Sequence, residues 1–188
     1  MKTISLVCEK GGVGKSMLAS ELRYFFERSD LRVSLYALDG QYRDASRLVD
    51  DPDVVIVDTA GRLDADLRGV IERSDVVVVP VRPTPSDTEP FLRTVDMVRD
   101  VAPDTPLVVC VNGMNSFKVA TAFADWLSTQ DLGDRTVFVP QSEAIVQALG
   151  EGRSVAGYDR LGHATTALDA LGDTVSGLAE LGVNVDIR

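Results

Sequence analysis

The chain has 188 residues, 45% hydrophobic and 26% charged, a balance that fits one globular domain (1–188) with a sizeable core and leaves no room for a second. A formal net charge of −10 excludes a uniformly basic nucleic-acid-binding surface, although a local arginine patch stays open. An apolar run begins at once without a charged leader, and no segment approaches the roughly 20 apolar residues of a membrane span, so the expectation is a cytoplasmic, unanchored protein.

Short β-branched runs alternate with longer helical patterns along the chain. That is the signature of an α/β, doubly wound fold, a mainly parallel sheet flanked by helices on both faces. The first strand is expected over 3–8. It leads into Lys10, Gly11, Gly12, Val13, Gly14, Lys15 and Ser16, which open a helix over 15–28. Strand, glycine-rich turn and helix in that order mark a phosphate-binding loop. The glycines let backbone N–H groups turn toward a polyphosphate, Lys15 can reach the β- and γ-phosphates, and Ser16 can ligate Mg²⁺. With Met17, residues 11–17 form the candidate nucleotide-binding stretch. The general pattern has a glycine five residues before Gly14, where this chain has Glu9, and the chain adds a second lysine, Lys10. With this K-G-G-x-G-K-[ST] loop the sequence resembles, nearly end to end, the deviant Walker A ATPases of the ParA and MinD superfamily. The resemblance implies ATP and Mg²⁺ as cofactors and an ATP-sandwiched homodimer, in which the signature lysine, here Lys10, reaches the nucleotide of the opposite subunit.

The second strand, 32–38, runs into Ala37, Leu38, Asp39, Gly40 and Gln41, where ParA-like proteins show D-x-D-P-Q. By that match Asp39 positions or activates the attacking water, giving a catalytic set of Lys10, Lys15 and Asp39. Ala37 and Gly40 depart from the pattern, and the missing carboxylate bears on how Mg²⁺ is surrounded. The third strand, 53–58, is four apolar residues ending in Asp58, a Walker B pattern in which Asp58 joins Ser16 in holding Mg²⁺, through water, and Gly61 supplies a hinge N–H for the γ-phosphate. A helix over 64–73 and a strand over 75–81 follow. The loop Arg82 to Asp87 then resembles the family's P-S-P-x-D segment, with Asp87 as N-cap of a helix over 87–101. A strand over 106–111 presents Asn112, matched to an adenine contact. A helix over 116–129 and a strand over 136–139 lead to Pro140 and Gln141, which resemble the segment that closes over the base. Ser142 caps a helix over 142–150.

The final helix, expected over 161–181, sets Leu168, Leu171, Val175, Leu178 and Leu181 in a core-facing stripe and carries no Lys or Arg. That polar face is unsuited to anionic lipid, so no stable membrane association is expected. His163 excludes a multi-histidine metal site, being the only histidine. Cys8 and Cys110, both in strand-like runs, read as packing residues, and Trp126, Tyr24, Phe25 and Phe26 as core or interface.

The leading reading is a small ParA-type partition ATPase whose ATP dimer binds nonspecific DNA at the nucleoid and moves plasmid or chromosomal DNA, with a ParB-like centromere-binding protein stimulating slow hydrolysis. Candidate DNA contacts are Lys118, Arg135, Arg153 and Arg160. A MinD-like positioning ATPase and a metabolic ATP-dependent enzyme resembling dethiobiotin synthetase are the alternatives on the same scaffold.

Overall fold

Residue alternation along the central strands divides the molecule into two apolar layers. In the computed structural model, which describes residues 1–38, 47–61, 65–132 and 135–183, six strands form one sheet in which every strand pairing is parallel. The elements run β1 (Lys2–Leu6), α1 (Lys15–Arg28), β2 (Val33–Ala37), β3 (Val54–Asp58), α2 (Ala65–Glu72), β4 (Val76–Val81), α3 (Pro85–Val101), β5 (Leu107–Met114), α4 (Lys118–Ser128), β6 (Thr136–Pro140), α5 (Glu143–Gly150), α6 (Val155–Tyr158) and α7 (His163–Leu178). The strand order is β2-β3-β1-β4-β5-β6, so successive crossovers run first to one side of β1 and then to the other. Such a switch point opens a crevice at the carboxyl ends of the strands, where α/β proteins bind ligands.

β4 shows why the strands are so uniformly apolar: all six of its residues are buried. Val76 and Val78, with Ile4, Leu6, Val108 and Cys110, face α1 and α7, where Leu18, Leu22, Phe25, Phe26, Leu171 and Val175 complete one core. Val77, Val79 and Val81, with Val7, Val109 and Val111, face α2, α3 and α4, where Ile71, Phe91, Val95, Phe123 and Leu127 complete the other. Trp126 packs against Phe91 and Phe123 at the edge of this second core. α1 and α7 approach closely because Gly172 leaves room for the Phe25 ring, which a Cβ would meet at 2.4 Å.

The expected elements are present, with informative shifts. α3 begins at Pro85 with Thr84 as its N-cap, so Asp87 is the third helical residue and its carboxylate is free to pair elsewhere. β5 runs to Met114 because β6 keeps pairing with it across an irregularity at Gly113, whose φ of +79° glycine tolerates. The terminal helix starts at His163 and ends at Leu178, and α6 is separate. α6 is tied to α1 by buried Glu21, which accepts from Ser154 Oγ at 2.8 Å and Val155 N at 3.0 Å; burial pushes its carboxyl pKa up. Leu168, Leu171 and Val175 are buried as the stripe requires, and Leu178 and Leu181 pack against the same core. Ser142 caps α5 by accepting from Ala144 N. No helix among the described residues is long and apolar enough to cross a membrane.

Candidate functional site

β1 delivers the chain to the crevice, and the loop between β1 and α1 turns there on two left-handed glycines, Gly12 (φ +76°) and Gly14 (φ +99°). Gly14 is the N-cap of α1, so the first amides of that helix point into the turn, where a phosphate would meet both the N–H groups and the positive end of the helix dipole. Lys15 is buried, and its ammonium curls back to donate to the carbonyls of Cys8 (3.3 Å) and Lys10 (3.2 Å). Those neutral acceptors hold the cation at the loop without cancelling its charge. Ser16 lies on the exposed side of the same turn, whereas Val13 and Met17 are buried and anchor it.

The carboxyl end of β3 lies beside the loop. Asp58 is paired in register with Leu6 of β1 and is almost fully buried. Thr59 ties the two strands by donating its hydroxyl to the Leu6 carbonyl at 2.7 Å. Gly61 then presses against the loop, where a Cβ would stand 3.0 Å from Gly11 N, so the segment after β3 meets the loop backbone to backbone at this point. This donor set fits Mg²⁺. The Ser16 hydroxyl and the Asp58 carboxylate are hard oxygen donors of the kind Mg²⁺ takes, with phosphate oxygens and water as the further ligands it would need. Among the described residues no group of three or more His, Cys, Asp or Glu side chains converges into a metal cage. Asp39, Gly40 and Gln41 lie outside the described residues.

Asn112, at the carboxyl end of β5, braces the loop from the other side. Its Nδ2 donates to the Val13 carbonyl at 2.9 Å and occupies the space a Gly14 Cβ would need, 2.2 Å away. Farther out, Gln141 N donates to the Met114 carbonyl and Asn115 Nδ2 donates to Gln141 Oε1, which sets Pro140 and Gln141 beside the end of β5.

Sequence reasoning missed what grips the start of the loop, which is α3. Glu9 N donates to Thr94 Oγ1 at 3.2 Å, and Arg93 donates to both Glu9 carboxylate oxygens at 2.8 and 3.1 Å. Lys10 donates to the Ser86 carbonyl (3.1 Å), to Ser86 Oγ (2.9 Å) and to Asp87 Oδ1. Burial alone would raise the Asp87 pKa, but hydrogen bonds from Lys10, Thr84 and Ser86 outweigh it and hold the carboxyl below its ordinary value. The available signal was Glu9 itself, a carboxylate where the general loop pattern has glycine. Cys8 and Cys110 are buried free thiols, both with pKa raised by burial, Cys110 to about 12, which disfavours the thiolate.

Of the four basic residues expected at nucleic acid, Lys118 and Arg135 lie at opposite ends of the sheet. Lys118 opens α4 at the carboxyl end of the sheet, close in sequence to Asn112, whereas Arg135 immediately precedes β6 at the amino end. Arg153 donates to Glu151 and to the Gly157 carbonyl in the turn between α5 and α6, and exposed Arg160 lies between α6 and α7. His163 is exposed at the start of α7.

No family model matches the chain, and no curated protein matches it. Solved structures do. A plasmid partition protein from Borrelia burgdorferi bound to AMPPNP superposes with a TM-score of 0.71 at 15% identity, covering 94% of this chain and 97% of that one. The septum site-determining protein MinD from Pyrococcus horikoshii, complexed with Mg-ADP, gives a TM-score of 0.73 at 16% identity, covering 98% and 99%. A variant of McdA from Cyanothece, in complex with ATP, gives 0.72 at 13% identity, covering 100% and 99%. At these identities the likeness speaks for architecture, and the chain has the P-loop fold that these partition and positioning proteins share.

Proposed function

We propose that this protein is a Mg²⁺-dependent ATPase of the ParA partition type, which closes into a dimer around ATP, binds nonspecific duplex DNA in that state, and is reset by hydrolysis stimulated by a ParB-like centromere-binding partner. The observation that carries the reading is the phosphate loop. Left-handed Gly14, buried Lys15 and the abutting Gly61 make a pre-shaped anion cradle, and a second lysine stands beside it at position 10. The similar structures support the nucleotide, since the three named above hold AMPPNP, Mg-ADP and ATP.

In this reading Lys15 and the loop amides face the β- and γ-phosphates, and Ser16, with Asp58 through water, would hold Mg²⁺, which when bound would supply positive charge to the phosphate oxygens. Asp39 orients the attacking water, and Lys10 acts on the nucleotide of the other subunit. The Asn112 amide nitrogen is engaged by the loop, so its oxygen, with Pro140 and Gln141, is assigned to the base. DNA contact falls to an exposed subset of Lys118, Arg135, Arg153 and Arg160.

The test is binding to nonspecific duplex DNA at a stated salt concentration, comparing ATP, ADP and Lys15→Ala. Retention only with ATP and intact Lys15 supports the partition switch. No retention in any state, with nucleotide uptake confirmed, overturns it. The MinD-like reading has an observation of its own, the equal structural likeness to MinD. ATP-dependent sedimentation with anionic liposomes would favour it, against the expectation from an α7 region that has no Lys or Arg between 161 and 181.

A further inference from the structure

α1, the helix that follows the phosphate loop, carries a buried carboxylate that the nucleotide chemistry does not use. Glu21 is 6% exposed, and Arg28, whose charge reaches it, forms its ion pair with Asp169 instead. A carboxylate taken out of water without a cation is costly, so its presence has to be explained by what it accepts. Its two oxygens take two donors at the start of α6: Ser154 Oγ donates to Oε2 at 2.8 Å, and Val155 N to Oε1 at 3.0 Å. Ser154 Oγ in turn accepts from Ala156 N at 3.2 Å, so Glu21 closes a chain of hydrogen bonds through the first turn of α6. Three residues along, on the same face of α1, the Tyr24 hydroxyl donates to the Gly152 carbonyl at 2.9 Å. The turn between α5 and α6 is therefore clamped to α1 at two points.

That turn is also bonded back to α5, because Glu151 N, Gly152 N and Arg153 N donate to the carbonyls of Gln147, Leu149 and Ala148. α5 has eight residues and is about 12 Å long. Its buried side chains are Ile145 and Ala148, whereas Val146 and Leu149 are exposed. Two buried side chains make a narrow seat, so the direction of this helix depends on how its ends are held. The carboxyl end is held by the clamp, and the amino end follows directly on Pro140 and Gln141. We propose that Glu21 is a positioning residue, which clamps the α5–α6 turn to α1 and thereby sets Pro140 and Gln141 at the place the base of a bound nucleotide requires. This rests on the nucleotide reading given above and extends it to a residue that does not touch the ligand. The phosphates are received at the amino end of α1, and the base by a segment hung from the middle of the same helix. Loosening the clamp leaves the phosphate cradle as it is and lowers the fraction of molecules whose base segment is in place, and affinity for the whole nucleotide falls by that fraction.

Calorimetric titration of the full chain with ATP and with inorganic tripolyphosphate, both with Mg²⁺, separates the two ends of the site. Glu21→Ala is expected to weaken ATP about tenfold and tripolyphosphate by less than about twofold. Glu21→Gln, of the same size but with one acceptor in place of two, should fall between Glu21→Ala and the wild type. Hydrogen exchange should be about tenfold faster at the amides of 152–156 in Glu21→Ala and unchanged at those of 14–18. If Glu21→Ala does not fold, as thermal melting would reveal, Tyr24→Phe deletes the Gly152 bond alone and should show the same split at about threefold. Equal losses for the two ligands would make Glu21 a support of the whole fold and overturn the proposal. Faster exchange at 152–156 with ATP affinity unmoved overturns it too, and leaves the nucleotide reading standing. A wild type that binds neither ligand, or that binds tripolyphosphate and ATP alike, overturns the assignment of the base segment and this role with it.

Discussion

The two halves of the phosphate loop are held by different physics. From Val13 to Ser16 the chain is fixed by shape: Val13 is buried, Gly14 occupies a left-handed conformation, and Asn112 fills the space under it. At Glu9 and Lys10 it is fixed by charge, through Arg93 and Asp87 on α3. Packing and backbone shape respond little to salt or pH, whereas partly exposed ion pairs respond to both. The half that would receive phosphate in the proposed function is thus pre-organised, and the half that carries Lys10 is restrained by bonds that can be exchanged for others.

The largest effect is expected where shape rules. Gly14→Ala forces a Cβ to within 2.2 Å of Asn112 Nδ2 at a backbone angle that only glycine adopts freely. Nucleotide affinity, measured by titration of a fluorescent ATP analogue, should fall about 100-fold or more, with about 1–3 kcal/mol lost from stability in urea unfolding. Affinity within a few-fold of the wild type would mean that the second half of the loop is not rigid. Asn112→Ala should cost less, about fivefold to tenfold in affinity, by deleting the single hydrogen bond to Val13. If Asn112→Ala instead leaves the phosphates bound and weakens only adenine selectivity, measured with ATP against GTP, the residue serves the base more than the loop.

The legibility of the site follows the same division. The β1–loop–α1 unit was readable because local chemistry dictates it: apolar strand, obligatory glycines, helix. The strands were readable because burial on both faces leaves their composition no freedom, as in β4. Asp58 was readable as the end of such a strand. The α3 grip on Glu9 and Lys10 was not, because it joins residues 76 to 85 positions apart through side chains whose pairing depends on how α3 docks on the sheet. Asp87 illustrates the error: a carboxylate near a helix start reads as a cap, but Pro85 begins the helix two residues earlier and frees that carboxylate for Lys10. The terminal helix was drawn too long for a related reason, since the leucine period runs through Leu178 and Leu181 while Ala179 already ends the helix and Glu180 turns at a φ of +55°.

A smaller effect, confined to the charge-held half, is expected from pH. The Asp87 pKa is depressed in the folded protein, so between that value and the ordinary one of 3.8 the unfolded chain binds more protons than the folded one. Stability from the pair is therefore complete above the unfolded value and is lost as pH falls through the folded one. Urea unfolding of wild type and Asp87→Asn should show a gap of about 1 kcal/mol near neutrality, discounted for the exposure of Lys10, that narrows below about pH 4. A gap unchanged down to about pH 3 would show that the carboxylate's charge contributes nothing there.

The smallest effect should come from Arg93→Ala, and it decides whether the grip is one unit or two. Arg93 is 45% exposed and spans Glu9 and Glu89, so most of its attraction is screened by solvent. Glu9 N keeps its bond to Thr94 when Arg93 is gone, so the loop start keeps a tether that does not depend on charge. Nucleotide affinity at about 0.15 M salt should change by about twofold or less, and the difference should vanish near 1 M salt, where screening acts within about 3 Å. If Arg93→Ala lowers nucleotide affinity as far as Asp87→Asn does, the two contacts act together. The boundary between shape and charge would then have to be drawn between α3 and the whole loop, with the helix rather than Asp87 alone holding the start of the loop.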